Sequence, residues 1–255
     1  MLLEKNGRER FYLRSFASFA CIVCSLLIST YALSEEIWSG AENGRARPKS
    51  RQEMPKEQGK FRQPDLVELI KLDPTIKLEI RYATPNNFLG RQVYQEARAF
   101  LQRPAAESLV RVNQALRKKG YGLLVFDGYR PWSITKVFWD ETPPNKRQFV
   151  ADPSKGSRHN RGCAVDLSLF ELKTGKEVQM PSAYDEMTER AYPNYQGGSD
   201  AQRRLRNLLR SAMEAEHFTV NEYEWWHFDY KFWREYPILN ISFQQIQEGG
   251  KRGKE

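Results

Sequence analysis

Hydrophobic and polar positions fall into blocks of different period along this chain. An apolar stretch from Phe16 to Ile28, broken by Ser18 and Ser25, follows the cations Lys5, Arg8, Arg10 and Arg14 and precedes Ala32-Leu33-Ser34. That is the order of a secretory signal peptide over residues 1–34, cleaved before Glu35. An uncleaved N-terminal anchor is the alternative. Residues 35–62 are polar, basic and without period, and read as a linker. Leu66 to Tyr82 holds two strand-like pieces with Asp73-Pro74 as a turn between them. Val93 to Lys119 reads as mostly helical, interrupted at Pro104, with Leu109, Val112, Ala115 and Leu116 on one face. Tyr121 to Phe126 is a continuous apolar run, the pattern of a strand buried on both faces. From Cys163 to Leu169 the pattern alternates. Cys163, Val165, Leu167 and Leu169 face a core; Ala164, Asp166 and Ser168 face the other side. Ser199 to His217 reads as a helix with Leu205, Leu208, Leu209, Ala212 and Met213 inward and its arginines outward, and Glu222 to Tyr230 as a short aromatic strand. Strands and helices do not alternate regularly, which favours an α+β domain over residues 63–245, followed by a basic tail, 246–255.

Composition narrows the class. No apolar run reaches the ~20 residues of a membrane-spanning helix, so a polytopic membrane protein is excluded, and no long-period repeat suggests a solenoid. Cys21 and Cys24 would leave with the leader, and neither has the aliphatic residue three positions upstream that a lipoprotein signal needs. The mature chain then carries Cys163 alone and cannot form an internal disulfide. Its net charge of +8 falls to +6 without the four cations and two glutamates of the leader. Charge alone would admit nucleic acid as a partner. An exported address and the absence of a nucleic-acid motif favour a solvated basic surface, with no nucleic acid bound. Export places the mature chain in the periplasm or outside the cell, without stable membrane insertion once the leader is removed.

Three segments carry candidate chemistry. In Ser157-Arg158-His159-Asn160-Arg161-Gly162-Cys163-Ala164-Val165-Asp166, a histidine lies on the loop that feeds a strand bearing a carboxylate. Glu224-Trp225-Trp226-His227 sets a second histidine among residues that exclude water. Asp127-Gly128-Tyr129-Arg130-Pro131 brings an arginine out of a buried strand end through a turn. Taken singly, each admits a plainer reading: a chance His/Asp spacing, a satisfied core histidine, a surface arginine.

Together, and in this order, these segments resemble the D-alanyl-D-alanine dipeptidase family of zinc peptidases, related to DD-carboxypeptidases and to the hedgehog N-terminal fold. Arg81-Tyr82-Ala83-Thr84 with Asn87-Phe88 is similar to that family's N-terminal block. The likeness runs from about Pro64 to Phe243. It implies a single domain with a central, mainly antiparallel sheet flanked by helices and a zinc cleft. It implies one Zn2+ per chain on His159, Asp166 and His227, with Glu224 as general base and Arg130 as transition-state stabiliser. Ser157 and Asp185, the latter in Tyr184-Asp185-Glu186-Met187, are implied to bind substrate. Two imidazoles and one carboxylate leave an open zinc position, the mark of a catalytic site. The reaction implied is hydrolysis of D-Ala-D-Ala in cell-wall metabolism. A site walled by Trp225, Trp226 and Tyr129 would be small and closed, which fits two alanine side chains, though the sequence does not assign each aromatic its wall. The alternatives are a zinc DD-carboxypeptidase acting on longer peptidoglycan stems, whose group tends to differ at Trp225 and around Arg130, and a non-catalytic zinc-bearing binding module, against which Glu224 and Arg130 argue. His217-Phe218 departs from the family's usual Gly-Phe, and His217 is not expected to be a ligand. In an ideal strand Glu224 and His227 point apart, so Glu224 should precede the strand proper or the backbone should bend there. Strand parity turns Cys163 away from Asp166 and makes it a buried hydrophobe.

Overall fold

The alternation that marks Cys163 to Leu169 builds the middle of the sheet. In chain order the elements are β1 (Leu66–Glu68), α1 (Leu69–Leu72), β2 (Lys77–Leu78), β3 (Phe100–Gln102), α2 (Arg103–Arg117), β4 (Tyr121–Asp127), α3 (Trp132–Glu141), β5 (Ala164–Glu171), α4 (Asp200–Ala215), β6 (Phe218–Val220) and β7 (His227–Tyr230). The computed structural model describes residues 52–246; the leader, residues 35–51 of the polar stretch and residues 247–255 of the tail lie outside the described residues. Five strands form one sheet in the order β2-β4-β5-β7-β6. Only the β2–β4 pairing is parallel. β1 and β3 form a separate antiparallel pair. The domain is α+β with a mainly antiparallel sheet, as the sequence suggests.

One sheet face carries the large core. Cys163, Val165, Leu167 and Leu169 of β5 and its approach join Leu109, Val112 and Leu116 of α2 and Leu209 and Met213 of α4. Cys163 is fully buried in that cluster, as parity requires. The opposite face carries a smaller cluster of Leu124, Phe126 and Phe170. Asp166 shares this second face by alternation. No helix among the described residues is long and apolar enough to cross a membrane.

Local structure departs from the hydrophobic pattern at definable points. Helix α2 begins at Arg103 with Pro104 in its first turn, and Phe100–Gln102 upstream is strand. Proline suits a first turn because its missing N–H would have no helical partner there, so Pro104 starts the helix and does not interrupt it. The first apolar piece near Leu66 gives only three strand residues before α1. Ser199 caps α4 through a reciprocal capping box with Gln202. Arg206 of α4 does not point outward. It is 5% exposed and donates to the Tyr195 carbonyl at 2.7 Å. Within the polar stretch before the domain, Glu57 pairs with Arg161 and accepts from the Ile238 amide at 2.6 Å.

Beyond α4 the chain reverses at His217, which has φ of 70°. This is the left-handed region, costly for a residue with a Cβ and free for glycine. The His217 carbonyl still accepts from the Lys231 amide at 3.1 Å, anchoring the turn into β6. His217→Gly should relieve ~1 kcal/mol of backbone strain, partly offset by a more flexible unfolded chain, and raise Tm by about 1–3 °C. His217→Val, branched at Cβ, should lower Tm. Calorimetry on both variants checks this, and equal melting of the two would contradict it.

Candidate active site

Strand register assembles the site. Asp166 of β5 is directly opposite His227, the first residue of β7. On its other side Asp166 is opposite Asp127, the last residue of β4, after a register shift between Val125 and Asp127. Directly opposed residues share a face. Strict alternation from Val125, which belongs to the large core, would send Asp127 there too. The bulge turns it to the face of Asp166. His159 comes from the one-turn helix His159–Arg161 just before β5, which ends at Gly162 with φ of 67°. The positive φ calls for glycine there, and a Cβ on Gly162 would also lie 2.4 Å from Leu66 Cδ2, which would have to shift.

His159, Asp166 and His227 are a group of potential metal ligands whose binding atoms all lie within 4.8 Å of one another. His159 Nε2 is 3.1 Å from His227 Nδ1 and 3.3 Å from Asp166 Oδ1, and His227 Nδ1 is 3.1 Å from Asp166 Oδ1. The outer ring nitrogens fix the tautomers. His159 Nδ1 donates to the Gly128 carbonyl at 2.7 Å, and His227 Nε2 to Asp229 Oδ1 at 2.9 Å. Neither acceptor has a proton to offer, so as neutral imidazoles both rings turn lone pairs inward. Asp166 Oδ1 is buried without a hydrogen-bond partner. Three converging lone pairs repel unless a cation lies among them. Tetrahedral zinc, with bonds of about 2.0–2.2 Å, sets its ligand atoms about 3.3 Å apart. The triangle fits that ion. Burial opposes a charged His227, but the charge of Asp229 and the close contacts with Asp229 and Asp166 outweigh it and push its pKa up. This corner of the protein therefore favours positive charge.

Other groups gather around the triangle, in a cavity of about 420 Å³. Glu224 precedes β7, between a bend at 222–223 and a turn at 225–226, which removes the parity conflict with His227. Its Oε2 lies 3.8 Å from His227 Nδ1. Burial pushes its pKa up to about 7 against the pull of His227. Arg130 is 7% exposed and doubly bonded to Asp127 Oδ2, at 2.9 Å from Nε and 2.7 Å from Nη2. Its guanidinium also lies over the Phe138 ring at 4.6 Å. Asp127 is itself held by the Tyr94 hydroxyl at 2.8 Å and the Gly128 amide at 2.9 Å. Ser157 lines the cavity, and its Oγ accepts from the His159 amide at 3.2 Å. Asp185 also lines it, with φ of 60°. Its Oδ1 accepts from the Tyr82 hydroxyl at 3.0 Å, while its buried Oδ2 has no partner. Burial and the charge of Asp166 push the Asp185 pKa well up.

All seven residues singled out in the sequence therefore meet in one cavity. His217 stands apart as an exposed turn residue. The expected walls need correction. Of Trp225, Trp226 and Tyr129, only Trp226 lines the cavity. Trp225 turns its indole N–H to Ser182 Oγ at 2.8 Å, and the Tyr129 hydroxyl is held by the Ile241 backbone. The apolar walls include Tyr82, Phe88 and Phe138 instead. Four contributors were not singled out: Asp127, Asp229, Tyr82 and Tyr184. An i, i+2 pairing of His227 with Asp229 on one strand face was a readable signal for Asp229. Asp127 and Tyr82 lay within noted motifs without a role. So did Tyr184, beside Asp185, whose hydroxyl donates to Asp166 Oδ2 at 3.0 Å.

Comparison with known proteins gives the chain's family. The family model described as D-ala-D-ala dipeptidase, Peptidase M15, matches residues 62–237. A D-alanyl-D-alanine dipeptidase of Escherichia coli (strain K12) is 33% identical over 179 residues, covering 70% of this chain and 91% of that protein. One of Enterococcus faecium is 36% identical over 186 residues, covering 66% and 91%. A distant likeness to the solved LD-carboxypeptidase LdcB has a TM-score of 0.38 at 20% identity, covering 77% of this chain and 80% of that one. On the extent of the family match and of the dipeptidase alignments, this chain belongs to the D-Ala-D-Ala dipeptidase family, Peptidase M15.

Proposed function

We propose that this chain hydrolyses D-alanyl-D-alanine to two D-alanines in cell-wall metabolism, with one zinc per chain on His159, Asp166 and His227. The carrying observation is the buried, unpartnered Oδ2 of Asp185 in the same cavity as the ligand triangle. A buried carboxylate oxygen without a donor is costly. The ammonium of a free dipeptide would supply the donor and favour the ionised form of Asp185, which burial and the charge of Asp166 otherwise oppose. The corresponding residue of a longer stem has an amide there, with neither the charge nor the extra protons. The likeness to named dipeptidases supports the same reading.

When bound, zinc supplies Lewis acidity, polarising the scissile carbonyl and acidifying the attacking water. Glu224 takes the water's proton and returns it to the leaving amine. A carboxylate whose pKa lies near the working pH is suited to both transfers. Arg130 faces the oxyanion that develops on the carbonyl. Its guanidinium stays charged, and the Asp127 clamp fixes its position before the reaction begins. Trp226, Phe138 and Tyr82 exclude water and strengthen these charges. Ser157 lies where it can bond the substrate.

Metal analysis of the purified protein should find one zinc per chain, lost in His159→Ala, Asp166→Ala or His227→Ala. Glu224→Gln should keep zinc and lose turnover. Arg130→Ala should keep zinc and lose about 10²–10³ in kcat; a pure rise in KM would reassign Arg130 to substrate binding.

Substrate choice is checked by D-Ala release from D-Ala-D-Ala, its N-acetyl derivative and a pentapeptide stem. The free dipeptide should be cleaved and the two blocked substrates left nearly intact. Efficient cleavage of the stem would make the protein a carboxypeptidase.

We further propose export to the periplasm or beyond. N-terminal sequencing of the extracytoplasmic protein should begin at Glu35; a soluble cytoplasmic form beginning at Met1 would contradict this.

A further inference from the structure

A ligand carboxylate has two oxygens, and only one of them faces the triangle. Asp166 Oδ1 points at the two imidazoles. Oδ2 accepts from the Tyr184 hydroxyl at 3.0 Å. The nearest guanidinium nitrogen, Arg130 Nη2, is 3.7 Å from Oδ2, beyond hydrogen-bond reach. The Asp χ2 torsion, about the bond to the carboxylate carbon, is broad, so the carboxylate needs an outside contact to fix which oxygen faces the metal. Tyr184 is itself fixed. Its ring packs on Phe126 at 4.6 Å and on Trp226 at 5.4 Å between centroids.

The Tyr184 hydroxyl also lies 3.2 Å from that of Tyr82, which donates to Asp185 Oδ1 at 3.0 Å. A hydroxyl has one proton. The Tyr82 proton serves Asp185 and the Tyr184 proton serves Asp166, an ionised and therefore stronger acceptor. The two tyrosines thus stand between the substrate end of the cavity and the ligand end, each holding one carboxylate.

We infer that Tyr184 is a positioning residue for the metal centre: its hydroxyl pins Asp166 Oδ2 so that the carboxylate ligates through Oδ1 alone. This rests on the ligand assignment proposed above. Single-oxygen ligation leaves coordination positions for water and substrate. Loss of an outer contact of this kind weakens metal binding or activity by about 10–100-fold.

Tyr184→Phe keeps the ring and removes only the hydroxyl. Its zinc dissociation constant, measured by chelator competition, should rise about tenfold or more, and the visible absorption of the cobalt-substituted protein should shift. The melting temperature of the metal-free variant should match the parent's. Tyr82→Phe should leave the zinc constant unchanged and raise KM for the dipeptide. A zinc constant for Tyr184→Phe within twofold of the parent's overturns the inference, whatever the activity. So does weaker binding that only accompanies a lower melting temperature of the metal-free protein. A parent that holds no zinc overturns the ligand assignment itself, which is a different result from zinc held equally by parent and variant.

Discussion

Three lone-pair donors lie within 3.3 Å of one another in a buried cavity, and the rest of the domain is arranged to hold them there. Left alone, such atoms would separate or capture protons. The fold prevents separation by placing two of them on adjacent strands in direct register, Asp166 opposite His227. A sheet ladder is stiff, and β5 is buried along nearly its whole length, so the pair cannot drift. The third donor, His159, comes from a single helical turn that can close only because Gly162 accepts a left-handed conformation against Leu66.

Several charged and polar groups near the triangle then have their own assigned neighbours. Asp229 fixes the tautomer of His227, and the Gly128 carbonyl fixes that of His159. Asp127 holds Arg130, while Tyr94 and the Gly128 amide hold Asp127. Breaking a buried ion pair of this kind leaves an uncompensated charge and costs about 3–5 kcal/mol. The Asp127–Arg130 pair therefore fixes the guanidinium firmly without needing anything from solvent.

Much of this was legible in the sequence, for physical reasons that differ by residue. His159, Asp166 and His227 were singled out as a set by the resemblance of their motifs to a family, since each spacing alone admitted a plainer reading; alternation added only the face of Asp166. Cys163 was readable by the same parity, and the structure buries it in the opposite core. Asp127 was not, because the bulge after Val125 breaks the period of two on which such readings depend. Trp225 and Tyr129 were misplaced as cavity walls because both lie outside strands and helices, Trp225 in a turn and Tyr129 in irregular backbone, where no fixed period gives a direction. Arg206 was expected outside because arginine usually is; its long stem lets it cross the helix face and reach the Tyr195 carbonyl. Pro104 was read as a break when it marks a start.

The pattern of pairing also explains why Asp185 remains available. The cavity's guanidinium, on Arg130, is bound twice to Asp127. Arg158, at the cavity wall, lies 3.5 Å from Asp229 and over the ring of Trp233 at 4.8 Å. The Tyr82 proton goes to Asp185 Oδ1. Asp185 Oδ2 is left buried without a donor. If Arg130 turned to satisfy it, Asp127 would lose its ion pair in the interior, so the substitution of partners costs more than it gains. The remaining way to satisfy that oxygen is a donor brought from outside. An ammonium would meet that need and an amide would meet it poorly, so the economy of partners that rigidifies the ligand triangle would, on the proposed reading, make the other end selective for a free amino group.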